Sequence, residues 1–466
     1  MMNVFRRRLA SFRVWSSSFS LSGRLLALVL VLPFPGLAAD SLTWRTNQNL
    51  VSADIKGGSL FQLLSQVASA TGWKVFVEPG STREISAKFK NLPPGDALHL
   101  LLGDLNFALV PATNASPKLF VFRTTLKNAT QAIRPIKGTA AKLIPNELIV
   151  RLKPGAKIEE LARSLGAKVL GRIDGLNAYR LQFEDQAAAD SAREQLATNP
   201  EVASIENNFE INRPPDPQPF AGNAAPPQLH LNPPPSSGQV TIGLLDTALQ
   251  PLGNGLDQFV LKGISVAGDF QPDPNAPTHG TTMIETILST LQALGNGSSS
   301  VKIQPYDIYG PSETANTFNV ANALELAINA GANPISQSFG GPDSQIVRDI
   351  ILEGSKKGVR FYSAVGNDGG PQMDFPAGDP GATPVTAVDR NGNAAPYANQ
   401  SGGSAVGALG TIIVSVNGQS WVVTGTSVST AIASATASSL MEKGASAAQA
   451  NSRLLNGPTP TTIPRK

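Results

Sequence analysis

The chain has 466 residues, enough for about three domains at roughly 150 residues each. Its 43 glycines and 36 prolines follow no fixed period, which excludes a collagen-type fibre, and no cysteine is present, which excludes disulfides, zinc–thiolate sites and cysteine nucleophiles. The net charge of +3 resides in residues 1–39, which hold five arginines and no acid; the remaining 32 basic and 34 acidic residues leave no basic footprint for nucleic acid.

Residues 1–39 read as an export signal. Arg6, Arg7, Arg8, Arg13 and Arg24 precede the apolar run Leu25 to Leu32. Pro33 to Gly36 break the run, and Leu37-Ala38-Ala39 offers small residues for cleavage. The run is too short to span a membrane comfortably, and no later stretch reaches about 18 apolar residues. The expected location is periplasmic or secreted, with no membrane span after signal removal.

Residues 41–125 read as a small α/β unit. Ser59 is placed to cap a helix with Leu60, Leu63, Leu64 and Val67 on one face and Gly72 past its end. A strand from Trp73 to Val77 follows, then a short helix from Asp96 to Leu102. Phe107 to Val110 and Leu119 to Phe122 form a hairpin pattern. His99 sits among leucines and is expected to be partly buried core. The segment VSADIKGGSLFQLLSQVASATGWKVFVEP resembles the short N-terminal domain of secretins and TonB-dependent receptors. The resemblance implies contacts with an envelope or secretion complex.

A polar linker is expected over 126–142. Residues 143–210 then give the order βαββαβ, which favours a ferredoxin-like sheet with helices on one face. Residues 211–238 carry nine prolines and read as an extended linker, with His230 solvated inside it. The third unit, 239–443, alternates apolar strands with helical patterns, which implies βαβ units and a parallel sheet. Residues 444–466 read as a tail.

Chemistry-bearing residues in the third unit stand at strand ends and helix starts, where sites in parallel sheets lie. Asp246 ends the strand VTIGLLD, His279 opens a helix, and Ser427 opens another. A serine hydroxyl is a poor nucleophile near neutral pH. It needs an imidazole to take its proton and a carboxylate to fix the imidazole tautomer. Asp, His and Ser in this chain order are one known solution. Asn367, ending the strand VRFYSAVG, can donate to a tetrahedral oxyanion beside the backbone N–H of Ser427.

These motifs resemble those of subtilisin-family serine proteases across nearly all of 239–443. IGLLDTAL resembles the aspartate motif, HGTTM the histidine motif, SAVGNDGG the oxyanion-asparagine motif and TGTSVSTAIASA the nucleophile motif. ISQSFGG resembles the cleft-lining segment. The resemblance implies Ser427 as nucleophile, His279 as base, Asp246 as its orienter and Asn367 as oxyanion donor. It implies that substrate backbone pairs with Ser338, Phe339 and Gly340. It also implies that 143–210 is an inhibitory prodomain whose carboxyl end lies in the cleft. The expected architecture is α/β: a parallel-sheet subtilisin-like domain after a ferredoxin-like prodomain and a small α/β domain.

The expected function is an exported serine endopeptidase acting on proteins or peptides and made as a self-inhibited precursor. Its first cut is expected between Glu206 and Phe220, with bonds near Asn207 to Ile211 favoured because prolines follow. Sixteen acids against eight bases in 239–443 hint at basic peptides. No cofactor or metal is implied; calcium is left open by the resemblance, with no site identified. The chain departs from the family pattern at Ala248, at Met283, Ile284 and Glu285, and at Ala431 and Ile432. These departures support a rival reading, a weak or inactive subtilase-fold adaptor docked to an envelope complex through 41–125.

Overall fold

The computed structural model describes residues 41–457 apart from 46–47, 79–80, 82, 112–115, 134–141, 221–227, 234–239, 254 and 402–404. The signal expected at residues 1–39 lies outside the described residues.

In chain order the first domain runs β1 (Ser41–Arg45), β2 (Leu50–Ser59), α1 (Leu60–Thr71), β3 (Lys74–Val77), β4 (Glu84–Leu92), α2 (Pro94–Leu102), β5 (Asn106–Val110), β6 (Lys118–Phe122) and β7 (Gln131–Ile133). Two sheets result, ordered β1-β2-β4 and β5-β6-β3-β7. Leu60, Leu63, Leu64 and Val67 recur at helical spacing and are all buried, and Gly72 ends α1 at a φ of 71°. α2 starts at Pro94, ahead of the expected Asp96, because a fixed φ suits a first helical turn.

Two expectations for this domain need correction. The linker placed at 126–142 is partly structure: β7 pairs antiparallel with β3, so the domain runs to Ile133. A three-residue strand is too short to show a period. His99 is exposed, not core; α2 turns its leucines Leu98, Leu101 and Leu102 inward and leaves His99 edge-on to Phe107, ring centroids 4.8 Å apart.

The second domain is β8 (Leu143–Leu152), α3 (Ile158–Ser164), β9 (Lys168–Ile173), β10 (Ala178–Gln182), α4 (Gln186–Ala197) and β11 (Val202–Asn212). Its strands lie in the order β11-β8-β10-β9, all antiparallel, as a ferredoxin-like sheet requires. One face packs on its own helices through Leu148, Val150, Leu181 and Leu196. Ile149, Ile173 and Ala178 from the same strands join Phe318, Leu324, Ile346 and Ile350 of the third domain in a shared core. Alternation along the strands thus serves two partners.

After β12 (Gln218–Pro219), the third domain contains β13 (Thr241–Asp246), β14 (Ile264–Ser265), α5 (His279–Leu294), β15 (Lys302–Asp307), β16 (Thr314–Asn316), α6 (Thr317–Asn329), β17 (Ile335–Gln337), α7 (Gln345–Lys356), β18 (Phe361–Ala364), β19 (Thr383–Val388), β20 (Val406–Leu409), β21 (Thr411–Val416), β22 (Gln419–Thr424), α8 (Thr426–Glu442) and α9 (Ala447–Asn456). Its main sheet has seven parallel strands in the order β14-β15-β13-β17-β18-β19-β20. The central strands β17 and β18 are buried along their whole length because both faces of the sheet are covered.

Three boundaries differ from the sequence reading. The region taken as a tail holds α9, opened by a capping box between Ser446 and Gln449 and anchored by buried Ala450 and Leu454 against the α8 face. The linker at 211–238 is only partly free: β11 reaches Asn212, β12 pairs with β22, and Leu231 is buried. His230 is exposed as expected. The first domain is also no separate module. Phe61 joins Ala387, Ala395 and Tyr397 in one core, its ring 6.1 Å from that of Tyr397.

Candidate active site

Asp246 ends β13, and His279 is the first residue of α5. The His279 Nδ1–H donates to both carboxylate oxygens of Asp246, at 2.8 and 2.9 Å. A carboxylate can only accept, so Nδ1 carries the proton and Nε2 is left as an acceptor. Asp246 also accepts from the N–H of Thr247 at 2.7 Å, and the Thr247 hydroxyl accepts from the N–H of Gly280 at 2.9 Å. This approach requires glycine, since a Cβ at Gly280 would fall 2.4 Å from the Thr247 carbonyl oxygen.

Residues that the sequence reading did not single out hold the start of α5. Thr278 caps the helix, accepting from the N–H of Thr281. Gln250 ties the preceding loop to it: its Oε1 accepts from the Thr278 N–H at 3.1 Å, and its Nε2 donates to the Asp273 carbonyl at 2.9 Å. A cap threonine just before a helical histidine is a readable signal; a glutamine on a distant loop is not.

Ser427 lies in the first turn of α8, where backbone N–H groups have no intrahelical acceptor. Its hydroxyl donates to the Ser338 carbonyl oxygen at 3.3 Å. The Asn367 Oδ1 accepts from the Thr426 N–H at 2.8 Å and the Thr426 hydroxyl at 3.0 Å. With the oxygen end held, the Nδ2 donors face away from Thr426. Ser338, Phe339 and Gly340 follow β17 and are buried beside the site.

The departures at α5 and α8 fall in one packed core. Met283, Ile284 and Ile287 of α5 lie in one buried cluster with Val428, Ala431, Ile432 and Ala435 of α8. Larger side chains on α5 meet a helix rich in alanine and serine, so the contact stays filled. Glu285, buried in the same helix, has its carboxyl pushed up to about 8 by loss of hydration.

The prodomain's last strand does not sit where the favoured cut was expected. Asn207 and Phe209 pair with Leu148 and Leu143 of β8, and Ile211 pairs with Ala315 of β16. Backbone held in two sheets is not open to a nucleophile. Glu206 and Asn208 instead cap helices of the third domain: Glu206 accepts from the N–H groups of Gln345 and Ile346, and Asn208 Oδ1 from the N–H of Phe318 at 3.2 Å.

Comparison with known proteins agrees with this geometry. Residues 237–456 match the subtilase family, and residues 130–208 match the fervidolysin N-terminal prodomain. The subtilase match spans nearly the whole of the third domain. A cell wall-associated protease of Bacillus subtilis (strain 168) is 29% identical over 208 residues, 42% of this chain and 23% of that protein. A thermostable alkaline protease of Halalkalibacterium halodurans is 25% identical over 122 residues, 26% of this chain and 34% of that protein. The chain therefore matches only a quarter to a third of the length of these relatives. Among solved structures, fervidolysin from Fervidobacterium pennivorans, a keratinolytic enzyme related to subtilisin, aligns with a TM-score of 0.54 at 16% identity, covering 70% of this chain and 61% of that one. The epidermin leader peptide processing serine protease of Staphylococcus aureus aligns with a TM-score of 0.51 at 15% identity, covering 66% of this chain and 91% of that one. These likenesses establish a subtilisin-like fold with a prodomain.

Among the described residues, no group of three or more His, Cys, Asp or Glu side chains is placed to hold a metal ion. Among the same residues, no helix is long and apolar enough to cross a membrane.

Proposed function

We propose that the protein is an exported serine endopeptidase made as a precursor. The observation that carries this reading is the buried Asp246–His279 pair at 2.8 Å, at the start of a helix packed against the helix that carries Ser427. The Ser427 oxygen attacks a peptide carbonyl while His279 Nε2 takes its proton. The oxyanion receives the Ser427 N–H and an Asn367 Nδ2–H. His279 then protonates the leaving amine, and water releases the acyl group. Substrate backbone lies along Ser338, Phe339 and Gly340. Export is supported by the composition of residues 1–39, and a periplasmic or secreted location goes with it.

The first domain is read as a secretin/TonB-type module that contacts an envelope complex. Leu100, Leu109, Val110 and Leu126 on its surface are exposed and available for such contacts. The test of the enzymatic reading is prolonged incubation of the full chain with a fluorophosphonate probe and with a protein substrate. Slow labelling and hydrolysis are expected, both absent in Ser427→Ala. Equal hydrolysis by Ser427→Ala refutes the assignment.

A further inference from the structure

The segment between prodomain and subtilase domain crosses the cleft. On one side Glu210, Ile211 and Asn212 pair with Asn316, Ala315 and Thr314 of β16, and the Arg213 N–H donates to the Glu313 carbonyl at 3.2 Å. On the other side Gln218 and Pro219 pair with Val422 and Trp421 of β22, and the Phe220 N–H donates to the Ser420 carbonyl at 2.8 Å. β22 runs straight into Gly425 and then Ser427. The paired register ends at Gln218 and Val422; continued three residues further it would bring Pro215 opposite Gly425 and the Pro214–Pro215 bond towards Ser427. Pro214 is buried, and His279 and Ser427 are only 4% and 5% exposed, although a base and a nucleophile have to meet substrate.

We propose that this segment is a resident ligand of the cleft that the enzyme cannot cut, so that the protein is a latent single-chain protease and not one matured by its own cut at the end of the prodomain. This rests on the protease reading above. Cutting would join the Ser427 oxygen to the carbonyl carbon of residue 214, break its bond to the nitrogen of residue 215, pass the proton from His279 to that nitrogen, and end with water taking the acyl group. Two prolines oppose the first step. Pro214 has no N–H, so it offers no backbone donor to the carbonyl of Ser338, the residue after β17. The Ser427 hydroxyl fills that acceptor at 3.3 Å instead. Pro215 restricts the backbone of Pro214 in turn, and a misplacement of about 1 Å costs roughly a hundredfold in rate.

The strap is anchored well away from its prolines. Ile211 is 3% exposed, and its Cγ1 lies 3.0 Å from where a Cβ of Gly341 would be, so the glycine gives it a close seat. The Tyr309 hydroxyl donates to the Asn212 carbonyl at 3.1 Å, and the Arg213 guanidinium lies 5.8 Å from the centre of the Phe270 ring. A substrate has to displace this strap. It is an extended peptide with an aliphatic side chain where Ile211 sits and residues other than proline at the places of Pro214 and Pro215.

The experiment uses the full-length chain, intact-mass measurement and a fluorophosphonate probe. Wild type should stay whole between Ile211 and Phe220 and label slowly. The double variant Pro214→Ala, Pro215→Ala should be cut at the 214–215 bond and label at least about tenfold faster. Adding Ser427→Ala should keep it whole. Ile211→Asp, which puts a charge in the buried apolar seat, should also speed labelling. Wild type that cuts itself within 211–220, or labels as fast as both variants, overturns the strap and leaves the protease reading standing. If no form labels, Ile211→Asp included, the protease reading falls and the strap with it.

Discussion

The Glu206 carboxylate closes the N-terminus of α7, accepting from the N–H of Gln345 at 2.8 Å. It also accepts from the Ile346 N–H at 3.1 Å and the Ser344 hydroxyl at 3.3 Å. A prodomain side chain thus satisfies donors that a helix of the subtilase domain cannot satisfy itself. Loss of hydration pushes the Glu206 carboxyl up, against the pull of these hydrogen bonds. Glu206→Ala should cost about 1–2 kcal/mol of stability by denaturant melting, the usual range for a lost cap. Glu206→Gln keeps an acceptor oxygen and should cost less. Equal losses in the two variants would show that the capping bonds contribute nothing.

Asn367 is held by its oxygen, which leaves its nitrogen for the proposed oxyanion role. Asn367→Ala in a strap-released background should lower kcat with little change in KM, because the donor acts on the transition state. The expected size is about 10²–10³, as for loss of the oxyanion asparagine in subtilisin. A raised KM with kcat intact would remove Asn367 from the oxyanion site.

The parts of this architecture that were legible in the sequence share a physical cause. Asp246 and Asn367 are polar residues ending apolar runs, and His279 and Ser427 open helices that follow glycine or threonine turns. Local pattern alone places such residues. β12 and β16 were not legible, because strands of two and three residues containing proline, threonine and asparagine form only when a partner strand is present. The caps Glu206 and Asn208 act on helices more than a hundred residues away in sequence, beyond any periodicity argument. α9 was readable: Ser446 and Gln449 stand at capping-box spacing, ahead of Ala450 and Leu454 on one face. The pairing of Asn207 to Ile211 with β8 and β16 was not legible either, because it depends on strands far away in sequence.

The shared core around Tyr397 makes the first domain part of the enzyme's stability. Burial against Phe61 pushes the Tyr397 hydroxyl well above its ordinary pKa, as expected of a group sealed from water. Phe61→Ala should cost about 3–5 kcal/mol, in line with deletion of a buried aromatic. It should lower the melting of the subtilase domain as well as that of the first domain. Scanning calorimetry would show an unshifted subtilase transition if the domains were independent.

Glu285 makes stability depend on pH. Its carboxyl is buried in α5, and loss of hydration pushes it up to about 8 from its ordinary 4.5. A raised folded pKa means that the folded chain keeps a proton that the unfolded chain releases. The stability this provides is complete below about pH 4.5 and is lost as pH rises through about 8, at up to ~1.4 kcal/mol per pH unit. Glu285→Gln has the same shape and no charge to lose. The variant and wild type should therefore unfold at similar urea concentrations at pH 5, and the variant should be the more stable at pH 9. If the two unfold in parallel at every pH, Glu285 is not the group that titrates, and its burial is matched by a partner charge.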